Sequence, residues 1–285
     1  MAGMVLMGQN SLDRLVQDVA AAAKAEFNTL KDEQFAISIW DLTKDIKASF
    51  RGEASFYPAS VVKLFWLAFA HRQMEDKICT LTREFDRALN DMIRDSSNDA
   101  TGQVVDIVTN TTGGPELEPK LFEEWTFKRN AANRWLKKEG FQGINVNQKT
   151  WGDGPYGRER QSYGPNFENR NALTADATVR MMGLIARGEM ITKSRSGDML
   201  TLLRRNNPAD GKTGDAQADD YIGSVLPKGA ELYSKAGWTS TARHDVAYVK
   251  LASGKQFVLA IFTKDHANEA KILPFIAKKL IEKLQ

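Results

Sequence analysis

Ser60 and Lys63 stand one helical turn apart at the head of an apolar stretch, Phe56 to Gln73. Ser60 follows Pro58 and Ala59 as a good N-cap residue, and the next dozen positions hold no breaker, so the pattern predicts a helix beginning at Ser60. Leu64, Phe65, Trp66, Leu67, Ala68 and Phe69 leave that helix no polar face, which predicts burial on all sides. Desolvation opposes a charged lysine in such a setting, so Lys63 must be paired, neutral or turned outward. Two readings follow. In the chemical one, Lys63 takes the proton of the Ser60 hydroxyl while the helix N-terminus faces the developing negative charge. In the other, Ser60 caps the helix and Lys63 extends its stem to the surface.

Two further groups have types suited to the same chemistry. Ser96-Ser97-Asn98 sets a hydroxyl and an amide on one short loop after a helix, where both can point into a cleft. The same residues also suit a turn capping a helix that starts near Ala100. Lys235-Ala236-Gly237 falls at the end of a strand, where an ammonium can address a site and glycine lets backbone approach closely. Lys-x-Gly recurs at Lys138-Glu139-Gly140 and, as Lys-Thr-Gly, at Lys212 to Gly214. The Lys212 copy sits in a loop without strand formers, so the copy at Lys235 is the one placed for chemistry. His71, His244 and His266 are scattered and form no triad motif.

These groups need elements to hold them. Ser11 with Leu12, Leu15, Val16 and Val19 predicts a capped amphipathic helix running to about Phe27. Gln34 to Leu42 and Ile46 to Phe50 read as a hairpin. Helices are expected at Cys79 to Asp95, Ala100 to Thr109, Lys128 to Glu139 and Ala175 to Arg187. Glu231 to Ser234, Asp245 to Leu251 and Gln256 to Phe262 read as strands, the last two joined at Ser253-Gly254. A last helix carries Phe275, Ile276, Leu280 and Ile281, with Pro274 in its first turn or at a kink. Asn145 to Asn171 reads as a long loop with little regular structure, and loops of that length are usually functional. Strands at both ends must pair to cover their edges. The economical arrangement is therefore one antiparallel sheet built from both termini with helices inserted between them, an α+β fold.

Composition bounds the function. With 285 residues, 42% hydrophobic and 26% charged, the chain reads as an ordinary globular protein of one large domain or two lobes. The net charge of +3 is dispersed, which argues against a nucleic-acid partner, and no apolar run reaches membrane-span length. One cysteine, Cys79, excludes an internal disulfide and disfavours a cysteine-based metal site. No cofactor or metal is expected. The first residues lack a basic segment and a long apolar run, so a cytoplasmic location is expected, or a periplasmic or secreted one if the native N-terminus differs.

Ser-x-x-Lys, Ser-x-Asn and then Leu226-Pro227-Lys228-Gly229 leading into Lys-x-Gly, in this order, resemble the class A β-lactamases and related penicillin-recognising serine enzymes. The resemblance implies a β-lactamase/transpeptidase-like fold with an α/β lobe over 1–55 and 220–285. An all-helical lobe over 56–219 would carry the Ser-x-x-Lys helix and the 145–171 loop. It implies Ser60 as acylating nucleophile, Lys63 as its base, Ser96 as proton relay and Asn98 as substrate contact. Lys235 would support a substrate carboxylate beside Ala236 and Gly237, and the backbone amides of Ser60 and Trp238 would form an oxyanion hole. There are three departures. Ser97 replaces the family's Asp, Ala236 replaces its hydroxyl residue, and no clean Glu-x-x-Leu-Asn motif is present. Spacing back from Ala172-Leu173-Thr174-Ala175 lands on Glu159 as the deacylating carboxylate. Glu168 matches the motif better locally but lies too close to the next helix, and either glutamate also reads as a solvated loop charge. Arg243 or His244 would replace the family's carboxylate-binding arginine. The implied function is β-lactam hydrolysis through an acyl-enzyme, acting on a β-lactam or a peptide-like amide or ester. A D,D-peptidase-like, penicillin-binding or esterase activity with slow deacylation is one alternative, and a non-catalytic ligand-binding protein is another.

Overall fold

The computed structural model describes residues 2–211 and 213–284, with side chains from residue 11 onward. The chain opens with α1 (Ala2–Glu26) and the hairpin β1 (Phe35–Asp41) and β2 (Ile46–Phe50). A 3-10 turn over Ala59–Val61 leads into α2 (Val62–Glu75). Then come α3 (Arg83–Arg94), α4 (Asn98–Thr109), α5 (Pro119–Arg129), α6 (Ala131–Lys138), α7 (Gly157–Ser162), α8 (Ala175–Ala186) and α9 (Lys193–Leu203). The two-residue strand β3 (Arg204–Arg205) and short α10 (Ala216–Asp219) precede β4 (Glu231–Trp238), β5 (Ala242–Lys250), β6 (Gln256–Lys264) and α11 (Ile272–Leu284).

The strands form one antiparallel sheet in the order β2-β1-β6-β5-β4-β3. First and last long strands pair directly, from Phe35 opposite Thr263 to Asp41 opposite Phe257, so both ends of the chain build the sheet as their edges required. Alternation along the strands divides the core in two. Ala36, Trp40, Val246, Tyr248, Val258 and Phe262 join the side chains of α2, α3 and α8. Phe35, Ile37, Ile39, Ala247, Val249 and Ile261 face the other way, toward α1 and α11. Helix α8 lies so close to β1 that a Cβ at Gly183 would come 2.3 Å from the Trp40 ring.

Helix α2 is buried from Val62 through His71, on every side, as its lack of a polar face demands. Each large apolar side chain fully buried there contributes about 1.5–3 kcal/mol, which anchors the turn that precedes it. Several local expectations are corrected. Helix α1 runs through Ser11, which is exposed and caps nothing. Helix α3 starts at Arg83 because the Thr82 hydroxyl accepts the Phe85 N–H at 3.2 Å and ends the extended segment there. The helix expected over Lys128 to Glu139 is two, α5 and α6. They are broken at Asn130, whose side chain bonds the Thr126 carbonyl in competition with the backbone. Strand β4 continues through Trp238, so Lys235 sits inside a ladder opposite Val246 rather than at a strand end. The 145–171 segment contains α7.

Candidate active site

Ser60 is in the 3-10 turn ahead of α2, and its side chain caps no helix end. The residue before it, Ala59, is held at φ 47, in the left-handed region that costs a non-glycine residue about 1–3 kcal/mol. The turn is fixed by neighbours. The Pro58 carbonyl accepts the Val61 N–H at 3.0 Å, and the Tyr57 carbonyl meets His244 Nε2 at 2.9 Å. The Thr263 N–H donates to His244 Nδ1 at 3.1 Å, so this ring is a neutral donor through Nε2. Burial pushes its pKa down to about 4, which keeps it so.

Lys63 follows in the first turn of α2 and is wholly buried. Its amine donates to the Ser96 carbonyl at 2.5 Å, Asn98 Oδ1 at 2.9 Å and Ser96 Oγ at 3.2 Å. None of these partners is a carboxylate. Desolvation therefore pulls the pKa of Lys63 from 10.5 to about 7, and near neutrality a large share of the amine is a free base. The outward-turned alternative is excluded by that burial. Ser96 also has a left-handed backbone, φ 56, and it turns the chain so that Ser96 and Asn98 face Lys63. Ser97 caps α4 by accepting the Ala100 N–H at 3.1 Å. The capping reading thus holds for Ser97, while Ser96 and Asn98 turn to Lys63.

Lys235 closes the group from β4. Fully buried, it donates to Ser96 Oγ at 3.0 Å, so one hydroxyl joins both lysines. Burial first, and then the nearby positive Lys63, lower its pKa well below 10.5. A Cβ at Gly237 would lie 2.9 Å from the Ser60 N, the Val61 N and the Pro58 carbonyl, so glycine is what lets β4 lie against the serine turn. Gly237→Ala is expected to push strand and turn apart and to slow any reaction at Ser60 by more than about tenfold. A rate equal to wild type in stopped-flow acylation would remove that role. Thr239 N–H donates to the Ala242 carbonyl at 2.8 Å, so Trp238 faces Arg243 across a non-hydrogen-bonded pair and its N–H turns to the open edge of the sheet. The Trp238 ring, 55% exposed, marks the rim.

The other expected residues have partners of their own. Glu159, 1% exposed, is gripped by the Arg129 fork at 2.7 and 2.8 Å and by Lys149 at 3.1 Å. Burial pushes this carboxyl upward, and the Arg129 and Lys149 bonds and charges more than reverse it, leaving its pKa below the ordinary range. Arg129 and Lys149 also hold Asp106, which lies eight residues along α4 from Asn98, about 12 Å at 1.5 Å per residue. Glu159 is thus a buried, paired charge held toward the Asp106 end of α4 rather than a solvated loop charge. Glu168 is exposed and bonds back to the Asn166 N–H at 2.9 Å. The Arg243 guanidinium stacks on Tyr221 at 4.2 Å and donates to the Asp220 carbonyl at 3.0 Å, on the face of the sheet away from Lys235. Of the other Lys-x-Gly copies, Lys138 ends α6 and Lys212 lies outside the described residues.

Gln217 of α10 escaped sequence reasoning. Its Oε1 accepts from Lys235 Nζ at 2.6 Å and from the Ala236 N–H at 3.3 Å. Nothing in Asp215-Ala-Gln-Ala-Asp219 signals this, because the contact is made by folding a polar loop over β4. A cleft of about 460 Å³ opens here, bordered by Ser96, Arg205 and Gln217. A larger cavity of about 690 Å³ lies between α1, β2 and α8 around Asp176 and does not touch this chemistry.

A sheet joining both chain ends, with a serine-lysine turn and helix set between a Ser-x-Asn loop and a Lys-x-Gly strand, defines the β-lactamase/transpeptidase-like class. The chain belongs to the β-lactamase enzyme family, whose model matches residues 14–283. It is similar in fold to the β-lactamase of Sphaerobacter thermophilus, with a TM-score of 0.70 at 18% identity over 93% of this chain and 96% of that one. PBP-A gives a TM-score of 0.67 at 15% identity, covering 95% of each chain. The TLA-1 extended-spectrum β-lactamase gives 0.66 at 18%, covering 97% and 99%. No curated protein matches the sequence. Among the described residues no helix is long and apolar enough to cross a membrane.

Proposed function

We propose that the protein is a serine hydrolase that opens amide or ester carbonyls, β-lactams among them, through an acyl-enzyme on Ser60 with slow deacylation. The carrying observation is the buried amine of Lys63, poised near neutrality one turn from a serine that caps nothing. Neutral Lys63 takes the Ser60 proton as Oγ bonds to the carbonyl carbon. The charge on the carbonyl oxygen settles between the amides of Ser60 and Trp238, where one such donor is typically worth ~2.7–4 kcal/mol. Ser96, bonded to both lysines, hands its proton to the leaving nitrogen as the carbon–nitrogen bond breaks and takes the Ser60 proton back from Lys63. Asn98 is placed to contact the substrate amide. Water then hydrolyses the ester.

Slow deacylation is favoured over rapid turnover by where the carboxylates sit. Glu159 is committed to Arg129 and Lys149, and Glu168 is folded onto its own loop. This is the behaviour of a penicillin-binding protein rather than of an efficient β-lactamase. A PBP-A variant similar in fold to this chain, with a TM-score of 0.69 at 14% identity, is described as an acyl-enzyme complex with penicillin G. In this reading the chain divides into one lobe of 1–55 with 220–285 and one of 56–219, and Ser60 and Lys235 come from opposite sides of the junction, where a substrate would enter.

Intact-mass measurement over hours with excess penicillin G or an activated thioester tests the reading. A covalent adduct is expected on wild type and none on Ser60→Ala. The variant should keep its stability within about 0.5 kcal/mol, because the hydroxyl caps no helix. An adduct that persists in Ser60→Ala rejects this nucleophile.

A further inference from the structure

The donors that would receive an anionic group beside Ser60 are already occupied by the protein. An ammonium has three N–H bonds. Those of Lys235 go to Ser96 Oγ at 3.0 Å, Gln217 Oε1 at 2.6 Å and the Ala236 carbonyl at 2.7 Å. Gln217 is itself clamped from both sides. Its Oε1 also accepts the Ala236 N–H at 3.3 Å, and its Nε2 donates to the carbonyls of Arg94 at 2.7 Å and Ile93 at 3.3 Å. Residue 236 has no hydroxyl to offer. Arg243 is held on the other face of the sheet, and His244 Nε2 is committed to the Tyr57 carbonyl.

We propose that Gln217 fills the anion-recognition position of this site, so that Ser60 is acylated by neutral amides and esters in preference to donors with a carboxylate on the leaving-group side. The proposal rests on Ser60 being the nucleophile. An arriving carboxylate must displace an amide that makes four hydrogen bonds, to Lys235, Ala236, Arg94 and Ile93. With Gln217 left in place it finds neither a free ammonium donor nor a hydroxyl, and a polar group buried without partners is costly. A neutral donor needs only the two backbone amides and Ser96. Gln217 thus acts as a specificity residue through Lys235 and the Ala236 N–H.

The test uses two thioesters of benzoylglycine, one with mercaptoacetate and one with its methyl ester, which differ in a single charge. Acylation joins Ser60 Oγ to the acyl carbon, breaks the carbon–sulfur bond and releases the thiol with the proton taken from Ser60. Rates of Ser60 labelling by mass spectrometry are divided by each probe's rate of alkaline hydrolysis. In wild type the methyl ester is expected to react at least about tenfold faster. Gln217→Ala and Gln217→Met should both reduce that ratio severalfold by speeding the carboxylate probe. A wild-type preference for the carboxylate overturns the proposal, and so does a ratio unchanged in both folded variants. Either outcome leaves Ser60 as nucleophile. If neither thioester nor penicillin G labels Ser60, the acyl-enzyme reading falls and this proposal with it.

Discussion

Lys63→Met is expected to slow acylation of Ser60 by about 10²–10⁴-fold, the usual contribution of a positioned general base, while making the folded protein more stable. Both effects come from one fact. The amine is buried without a carboxylate partner, and desolvation alone sets its pKa. In the unfolded chain the group titrates near 10.5 and in the folded protein near 7, so between those values the unfolded chain holds a proton that the folded one has released. Stability therefore rises with pH from about 7 to about 10.5, and the burial penalty is complete below about 7. Methionine removes that penalty, by roughly 1–4 kcal/mol at pH 6 and by much less at pH 10. Loss of the bonds to the Ser96 carbonyl and Asn98 offsets part of the gain, since both residues are only partly buried. Denaturation midpoints at the two pH values check the sign. Wild-type acylation should also climb with pH through about 7. An acylation rate in Lys63→Met equal to wild type would place the base on another residue.

Glu159→Gln is expected to cost about 3 kcal/mol of stability and to leave the lifetime of the acyl-enzyme unchanged. Arg129, 1% exposed, would lose the charge that neutralises both arms of its fork and keep Asp106, the Thr111 hydroxyl, the Trp125 ring and one amide oxygen. Removing one partner of a buried pair leaves an uncompensated charge, which is why the cost is large. Urea midpoints measure the first effect, and decay of the adduct mass in wild type and variant measures the second. A variant that traps the adduct while forming it at the wild-type rate would make Glu159 the deacylating base after all, despite its place on Arg129.

The two predictions mark the difference between a residue fixed by its own helix and one fixed by distant partners. Lys63 belongs to the first kind. Its neighbours in sequence are apolar all round α2, so the sequence poses the choice between a buried and an outward-turned amine, and the structure takes the buried one with its lowered pKa. The sheet was legible for a similar reason. Period-two alternation in Phe35 to Asp41 and in the last strands dictates two faces, and edges at both ends of the chain had to find each other.

Glu159 belongs to the second kind. Counting from Thr174 locates a residue along the chain, but not whether Arg129, thirty positions earlier, reaches it first. Gln217 illustrates the same limit, because a polar loop residue with no periodic context is placed only when α10 folds over Lys235 and the carbonyls of Ile93 and Arg94. Ser60 was expected as an N-cap and is instead in a 3-10 turn, since the approach of Gly237 and the bond from His244 to Tyr57 set its backbone. Local sequence thus determined most of the elements, the faces they bury and the placing of a lysine one turn after a serine on an apolar helix. Tertiary structure decided which acids and amides that lysine meets, because those contacts join segments up to 139 residues apart whose pairing is ruled by packing and charge rather than by spacing.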